Sequence, residues 1–190
     1  MKNSFLILFI ILFSSCKDVA ENGVQKSKNP EINAIKNHAI RTGIEKVGKD
    51  TILAWKEYVS VADDLQKFIA ISANEALNNA LQLADLVKQM KDSIRPLELI
   101  NPSFRTRVNV LENETLRLKD MTFISSITSK EVHLQVDKIL EAFSATNSKI
   151  NVVYSQLEVE KEINNNIPTN TIKPTNNPNS KKNLIKEKFK

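Results

Sequence analysis

Residues 55–94, WKEYVSVADDLQKFIAISANEALNNALQLADLVKQMKDSI, carry the longest regular pattern in the chain. Trp55, Val59, Ala62, Gln66, Ile69, Ala73, Ala76, Ala80, Leu83, Val87, Met90 and Ile94 recur at alternating steps of four and three. Side chains so spaced share one helix face, so the pattern predicts an amphipathic helix with a heptad seam. Gln66 is its one polar member, and such a residue either fixes register or marks a wet edge. Asp50 is a good N-cap, and no Gly or Pro follows before Pro96. One helix over about 50–95, roughly 68 Å long, is therefore preferred. Alanines at 73, 76 and 80 would let another helix approach closely. Ser72 and Glu75 have the spacing of a capping box, which gives the alternative of two helices broken near 72.

The flanks repeat the helical signals. Arg95 precedes proline, which disfavours helical backbone there, and Pro96–Ile100 reads as a connector. Asn101-Pro102 pairs an N-cap with proline at the first helical position. Phe104, Val108, Leu111, Leu118 and Met121 then mark a second helix to about 124. Ser125–Ser129 interrupts it, and Thr128 with Glu131 reads as a capping box for a third. Val132, Val136, Ile139, Phe143, Thr146, Ile150, Val153 and Leu157 keep four–three spacing, with fading expected near Ile163. Upstream, Asn29-Pro30 repeats the start signal. Ile32, Ile35, Ala39, Ile44 and Val47 suggest a weak short helix, interrupted by Gly43 and Gly48.

Short connections between long apolar-faced helices make antiparallel neighbours. The expected fold class is all-α: an elongated antiparallel bundle or coiled-coil hairpin of three long helices, or four if the chain breaks near 72. Crossing angles near +20° follow from sustained heptads. Three glycines in 190 residues are too few for the turns of a many-stranded sandwich or barrel. The expected organisation is a leader over 1–15, a tether with a short helix over 16–49, a bundle over 50–165 and a basic tail over 166–190. Residues 164–180 hold seven Asn and three Pro without apolar periodicity, which predicts a disordered spacer. It ends in KKNLIKEKFK at 181–190.

The formal net charge of +5 is unevenly placed. Residues 50–165 hold 13 Lys/Arg against 17 Asp/Glu, whereas 17–49 hold 7 against 4 and 166–190 hold 6 against 1. The expected folded part is mildly acidic, which argues against a nucleic-acid surface.

The N-terminus carries the most specific signal. Lys2 precedes Phe5–Phe13 (FLILFIILF), nine apolar residues, then Ser14, Ser15 and Cys16. A positive start, a short apolar core and small residues before a cut are the pattern of a secretory signal peptide. Nine helical residues span roughly 14 Å, about half a bilayer core, so a transmembrane anchor is the weaker reading. Leu12-Phe13-Ser14-Ser15-Cys16 resembles a bacterial lipoprotein lipobox, although Phe13 departs from its usual aliphatic residue. The resemblance covers residues 1–16 only. It implies cleavage before Cys16, acylation of its thiol, and a bilayer as partner. It also implies an envelope location. Lys17, rather than Asp, after the Cys favours the outer membrane over the inner, and Lys17, Asp18 and Glu21 partly resemble a surface-export signal.

Catalytic patterns are scarce. P-loop, dinucleotide, HExxH and GxSxG motifs are absent, and the only Cys is consumed by the lipid. No catalytic residue, metal ligand or cofactor is assigned, and a non-enzymatic protein is expected. His133, Asp137 and Glu141 share one helix side and could form a metal or proton site, but a solvated face is preferred. His38 falls in the weak first helix. Met90 and Met121 lie on apolar stripes and read as core fillers. Trp55 and Tyr58 read as a plug at a bundle end, their polar atoms facing water. Arg105, Arg107 and Arg117, interspersed with Glu112, Glu114 and Asp120, read as a charged surface.

The expected function is a lipid-anchored helical component of the envelope that binds another protein or itself. One alternative is a spacer contacting peptidoglycan. Lys188-Phe189-Lys190 loosely resembles the end of the small murein-bound lipoprotein, a far shorter chain. A metal- or haem-binding bundle or an enzyme is the other alternative.

Overall fold

The computed structural model describes residues 30–166. The leader, Cys16, tether residues 17–29 and nearly all of the basic tail, with the spacer expected there, lie outside them. Within them the chain is mostly helical, as the spacing predicts. The helices are α1 (Lys49–Leu53), α2 (Lys56–Gln66), α3 (Ala73–Asp92), α4 (Pro102–Met121) and α5 (Ser129–Asn166). Two short strands, β1 (Ile35–Asn37) and β2 (Ala70–Ser72), pair antiparallel with Ile35 opposite Ser72 and Asn37 opposite Ala70. Tight 3₁₀ turns occupy Pro30–Asn33 and Leu97–Leu99.

The single helix preferred over 50–95 does not form, and the capping box explains the break. The Ser72 N–H donates to Glu75 Oε2 at 3.0 Å, and the Glu75 N–H donates to Ser72 Oγ at 3.3 Å. Two backbone donors at a helix start are thereby satisfied reciprocally. The Ser72 N–H, then the Ser72 hydroxyl at 2.7 Å, both donate to the Glu75 carboxylate and hold it below its usual range. The preceding Ile69 and Ile71 flank or occupy β2, where β-branched side chains fit well. Replacing Ser72 with alanine should cost about 1 kcal/mol of stability, read from the urea midpoint.

The break also shifts the phase of the buried face. From Ala73 onward the predicted seam is the core: Ala73, Ala76, Ala80, Leu83, Val87 and Met90 are all buried. Before it, Trp55 is buried as the seam predicts, but the apolar residues buried after it are Tyr58, Val61, Leu65 and Phe68, one residue away from Val59, Ala62, Gln66 and Ile69, with Asp64 buried beside them. The true face is bulkier and removes more apolar area from water. Gln66 lies exposed at the end of α2, the wet-edge reading. Ile94, the last seam member, is 97% exposed in the connector.

Later signals hold closely. The Phe104 N–H donates to Asn101 Oδ1 at 2.8 Å, with Pro102 in the first turn of α4. α4 stops at Met121, three residues earlier than expected. The Thr128 N–H and hydroxyl both donate to Glu131 Oε2, at 2.9 and 2.6 Å, and open α5. Val132, Val136, Ile139, Phe143, Thr146 and Ile150 are buried along it. α4 packs between α3 and α5, α2 packs on α3, and one hydrophobic cluster joins them. Met90 lies within that cluster and Met121 packs against it.

The short helix expected upstream of residue 49 is absent. Residues 38–45 run without regular structure beside α5, followed by a bend that leads into α1. Ile40, Ile44 and Val47 still pack on the core. Residues 38–48 are called the strap below.

Candidate functional site

The strap is held by a polar row on α5. Alongside its apolar seam, α5 carries His133, Asp137, Ser144, Asn147, Asn151 and Tyr154, which recur at helical spacing one residue later. The Arg41 N–H donates to Ser144 Oγ at 3.0 Å, and the Glu45 N–H donates to Asn151 Oδ1 at 3.0 Å. Asn147 Nδ2 donates to the Thr42 carbonyl at 2.8 Å, and Asn151 Nδ2 to the Gly43 carbonyl at 3.0 Å. An irregular segment thus has its backbone groups satisfied by side chains, which lets it lie against a core.

Asn147 also reaches α2, because the Tyr58 hydroxyl donates to its Oδ1 at 2.8 Å. Burial is the main force raising the Tyr58 phenol far above its ordinary range, and the bond to Asn147 only partly offsets it. The Tyr58 ring stacks between Trp55, at 5.9 Å, and Phe143, at 5.7 Å. The Trp55 indole N–H donates to Ser93 Oγ at 2.8 Å. The plug expected from these aromatics is therefore corrected: both polar atoms face protein rather than water, because partners on α5 and the α3–α4 connector reach them. An open groove of about 420 Å³ lies where His38, Ile40 and Ile44 of the strap face Ala62 and Gln66 of α2 and Phe143 of α5.

At its head the strap is clamped by two histidines. His38 Nδ1 lies 2.6 Å from Asp137 Oδ1, and His38 Nε2 lies 3.0 Å from His133 Nδ1. Lys36 Nζ stands 3.3 Å from Asp137 Oδ2. The His38 N–H donates to the Ile69 carbonyl at 2.7 Å, extending the β1–β2 pairing. Two expectations are corrected here. His38 is not on a helix, and His133 is not on a solvated face: only 6% of it is exposed. The solvated reading survives for Glu141, which is exposed and takes no part in the cluster. His38 and Asp137 stand 99 residues apart in the sequence, so no local spacing could pair them.

The chemistry of the clamp follows from its geometry. A carboxylate can only accept, so His38 Nδ1–H donates to Asp137. With His38 neutral, its Nε2 accepts from His133 Nδ1–H; with His38 charged, it donates to an unprotonated His133 Nδ1. Either state satisfies both contacts, whereas charging both rings sets two N–H donors against each other. Among the described residues no group of histidine and carboxylate ligands is arranged to hold a metal.

For Asp137, burial works against the charged form, but the His38 bond, then the His38 and Lys36 charges, outweigh it and hold its carboxyl below the usual range. Burial, then the neighbouring His38 and Lys36 charges, lower His133, with only Asp137 opposing. A histidine lowered in the folded state adds stability that is full above its free value of about 6.5. That stability is lost as the pH falls below this value and through the depressed one. The urea midpoint should therefore decline from pH 7 to pH 5, and His133→Asn should flatten that decline.

The charged residues of α4 behave as a surface. Arg105 and Arg107 are exposed, and Arg117 Nη1 stands 3.5 Å from Glu114 Oε1. Glu114 also accepts from Gln135 Nε2 of α5 at 2.8 Å. No protein-family model, curated protein or solved structure matches the chain.

Proposed function

We propose that this chain is a lipid-anchored, non-enzymatic envelope protein that serves as an interaction or structural component. Its anchor is the acylated Cys16. One observation carries the reading: FLILFIILF at 5–13 runs directly into Ser14-Ser15-Cys16, the only cysteine of the chain. Two or three acyl chains meet or exceed the roughly two-signal threshold for stable attachment. The helical part is read as an antiparallel bundle in which α3, α4 and α5 form the body and α2 lies on its side. The strap would fasten the anchored end of the chain to that body, so that bundle and anchor move together. The outer membrane is the preferred location, on the strength of Lys17 after the cysteine.

The test is the mass of the N-terminal peptide from native membranes. It should begin at Cys16 and carry diacylglycerol. Replacing Cys16 with alanine should release the protein from the membrane pellet. A cleaved chain bearing an unmodified Cys16 would overturn the reading.

A further inference from the structure

Among the described residues, exposed apolar side chains include Ile35, Leu53, Leu81 and Leu134 on strand or helix faces, and two loops carry them in clusters, at different distances from the expected anchor. One is the loop between α4 and α5, where Phe123 is 81% and Ile124 48% exposed. The other is the α3–α4 connector, with Ile94, Leu97 and Ile100. We propose that Phe123 and Ile124 form a second membrane contact, a tip that inserts at the headgroup–acyl boundary of the bilayer in which Cys16 is anchored. This rests on the lipid-anchored reading of Cys16.

The placement of the chain selects this loop. Thirteen tether residues, 17–29, separate Cys16 from Pro30. Thirteen residues reach at most about 45 Å. The bundle is therefore held close to the bilayer, with the region around residue 30 nearest. The Pro30–Asn33 turn packs on α3, and β1 pairs with β2, which runs straight into the start of α3. His38 follows β1 and meets His133, one turn inside α5. The Phe123–Ile124 loop ends at the first residue of α5. Tether root and loop thus share one end of the molecule.

The connector patch lies elsewhere. The Leu97–Leu99 turn packs on α5, and Glu98 bears on Tyr154, 21 residues beyond His133. That separation is roughly 30 Å of helix. A bilayer reached through a short tether therefore meets Phe123 well before Ile94.

The composition of the loop suits an interface. Phe and Ile are inserting side chains, and Ser125 and Ser126 are neutral and small. Lys119 and Lys130 flank the loop, and neither forms an ion pair among the described residues. Long lysine stems can lie along apolar surface while the ammonium stays among headgroups. Asp120 is also exposed, and Glu131 is occupied in capping Thr128, so the contact is driven by apolar insertion rather than by net charge.

The experiment places a reporter at each patch of the full acylated protein. Phe123→Trp and Ile94→Trp are compared with the wild type, whose only Trp, Trp55, is buried. Vesicles of phosphatidylethanolamine and phosphatidylglycerol carry bromine near the glycerol end of their acyl chains. The indole introduced by Phe123→Trp should shift to the blue and lose emission, while the Ile94→Trp and wild-type proteins stay unchanged. Emission from the Phe123→Trp protein that ignores the brominated lipid, or quenching of the Ile94→Trp protein instead, would overturn the tip.

A second arm removes the anchor. In a Cys16→Ser background, the pair Phe123→Ser and Ile124→Ser should reduce flotation with the same vesicles by about tenfold. Equal flotation of the two proteins would overturn the proposal. The mass of the N-terminal peptide reports acylation separately, so failure of the anchor and failure of the tip are read apart.

Discussion

Gly48→Ala should lower the unfolding free energy by about 3 kcal/mol, one of the largest losses expected from a single methyl group in this chain. Gly48 ends the strap and has a φ of 78°, a left-handed conformation that side chains disfavour. A Cβ there would fall against the Tyr154 ring, 2.6 Å from each Cδ atom. Strain and overlap therefore add. Burial, then the charge of Glu98, push the Tyr154 phenol up to about 12. The two causes can be separated by urea unfolding. Tyr154→Ala should rescue the steric part of the Gly48→Ala loss and leave the conformational part, so the two changes should be clearly non-additive.

Asn147→Leu should cost a similar amount, about 3 kcal/mol, for a different reason. The side chain is 1% exposed and ties three elements together. Its loss leaves the Thr42 carbonyl and the Tyr58 hydroxyl without their partners. Unmet polar groups in a dry site cost about 1–3 kcal/mol each. Tyr58→Phe removes one of the two stranded groups, so it should recover about 1 kcal/mol in the Asn147→Leu background. Hydrogen exchange gives a local check. The Arg41 and Glu45 amides should lose protection first, because both bond to neighbours of Asn147 on the same row.

The helical architecture is legible in the sequence because it rests on local rules. Asn101-Pro102, Thr128 with Glu131 and Ser72 with Glu75 mark three helix starts, and each forms the bonds its spacing implies. The seam of α5 and the later half of the 55–94 seam face the core as read. The departure lies in continuity. Two apolar faces overlap between residues 55 and 69, and the unbroken one leads across the break. Gln66 is the warning, since it stands in the seam itself, whereas Tyr58, Val61, Leu65 and Phe68 are all aromatic or aliphatic, with Asp64 buried beside them.

The clamp is not legible in the same way. Neither histidine carries a partner at helical distance except His133 with Asp137, and that pair resembles ordinary surface charge. The polar row through Ser144, Asn147 and Asn151 is visible in principle, as a second periodic face on a helix that already has an apolar one. Buried polar residues at regular spacing call for an irregular backbone opposite them, because a neighbouring helix keeps its own amides and carbonyls bonded. Such a row implies a strap without naming the residues that form it.

The strap also fixes an order of events. Its partners on α5 lie 95 to 108 residues further along the chain. Contacts so distant bring their reward only after a large loop has been closed, so they form late. While the chain emerges from its N-terminus, His38 can meet the Ile69 carbonyl early, but the strap lacks its side-chain partners Ser144, Asn147 and Asn151 until α5 has been made. A chain interrupted before Ser144 would lack the Ser144, Asn147 and Asn151 partners of the strap. The strap is thus fastened last, and a loose strap is the signature of a chain whose α5 has not yet packed.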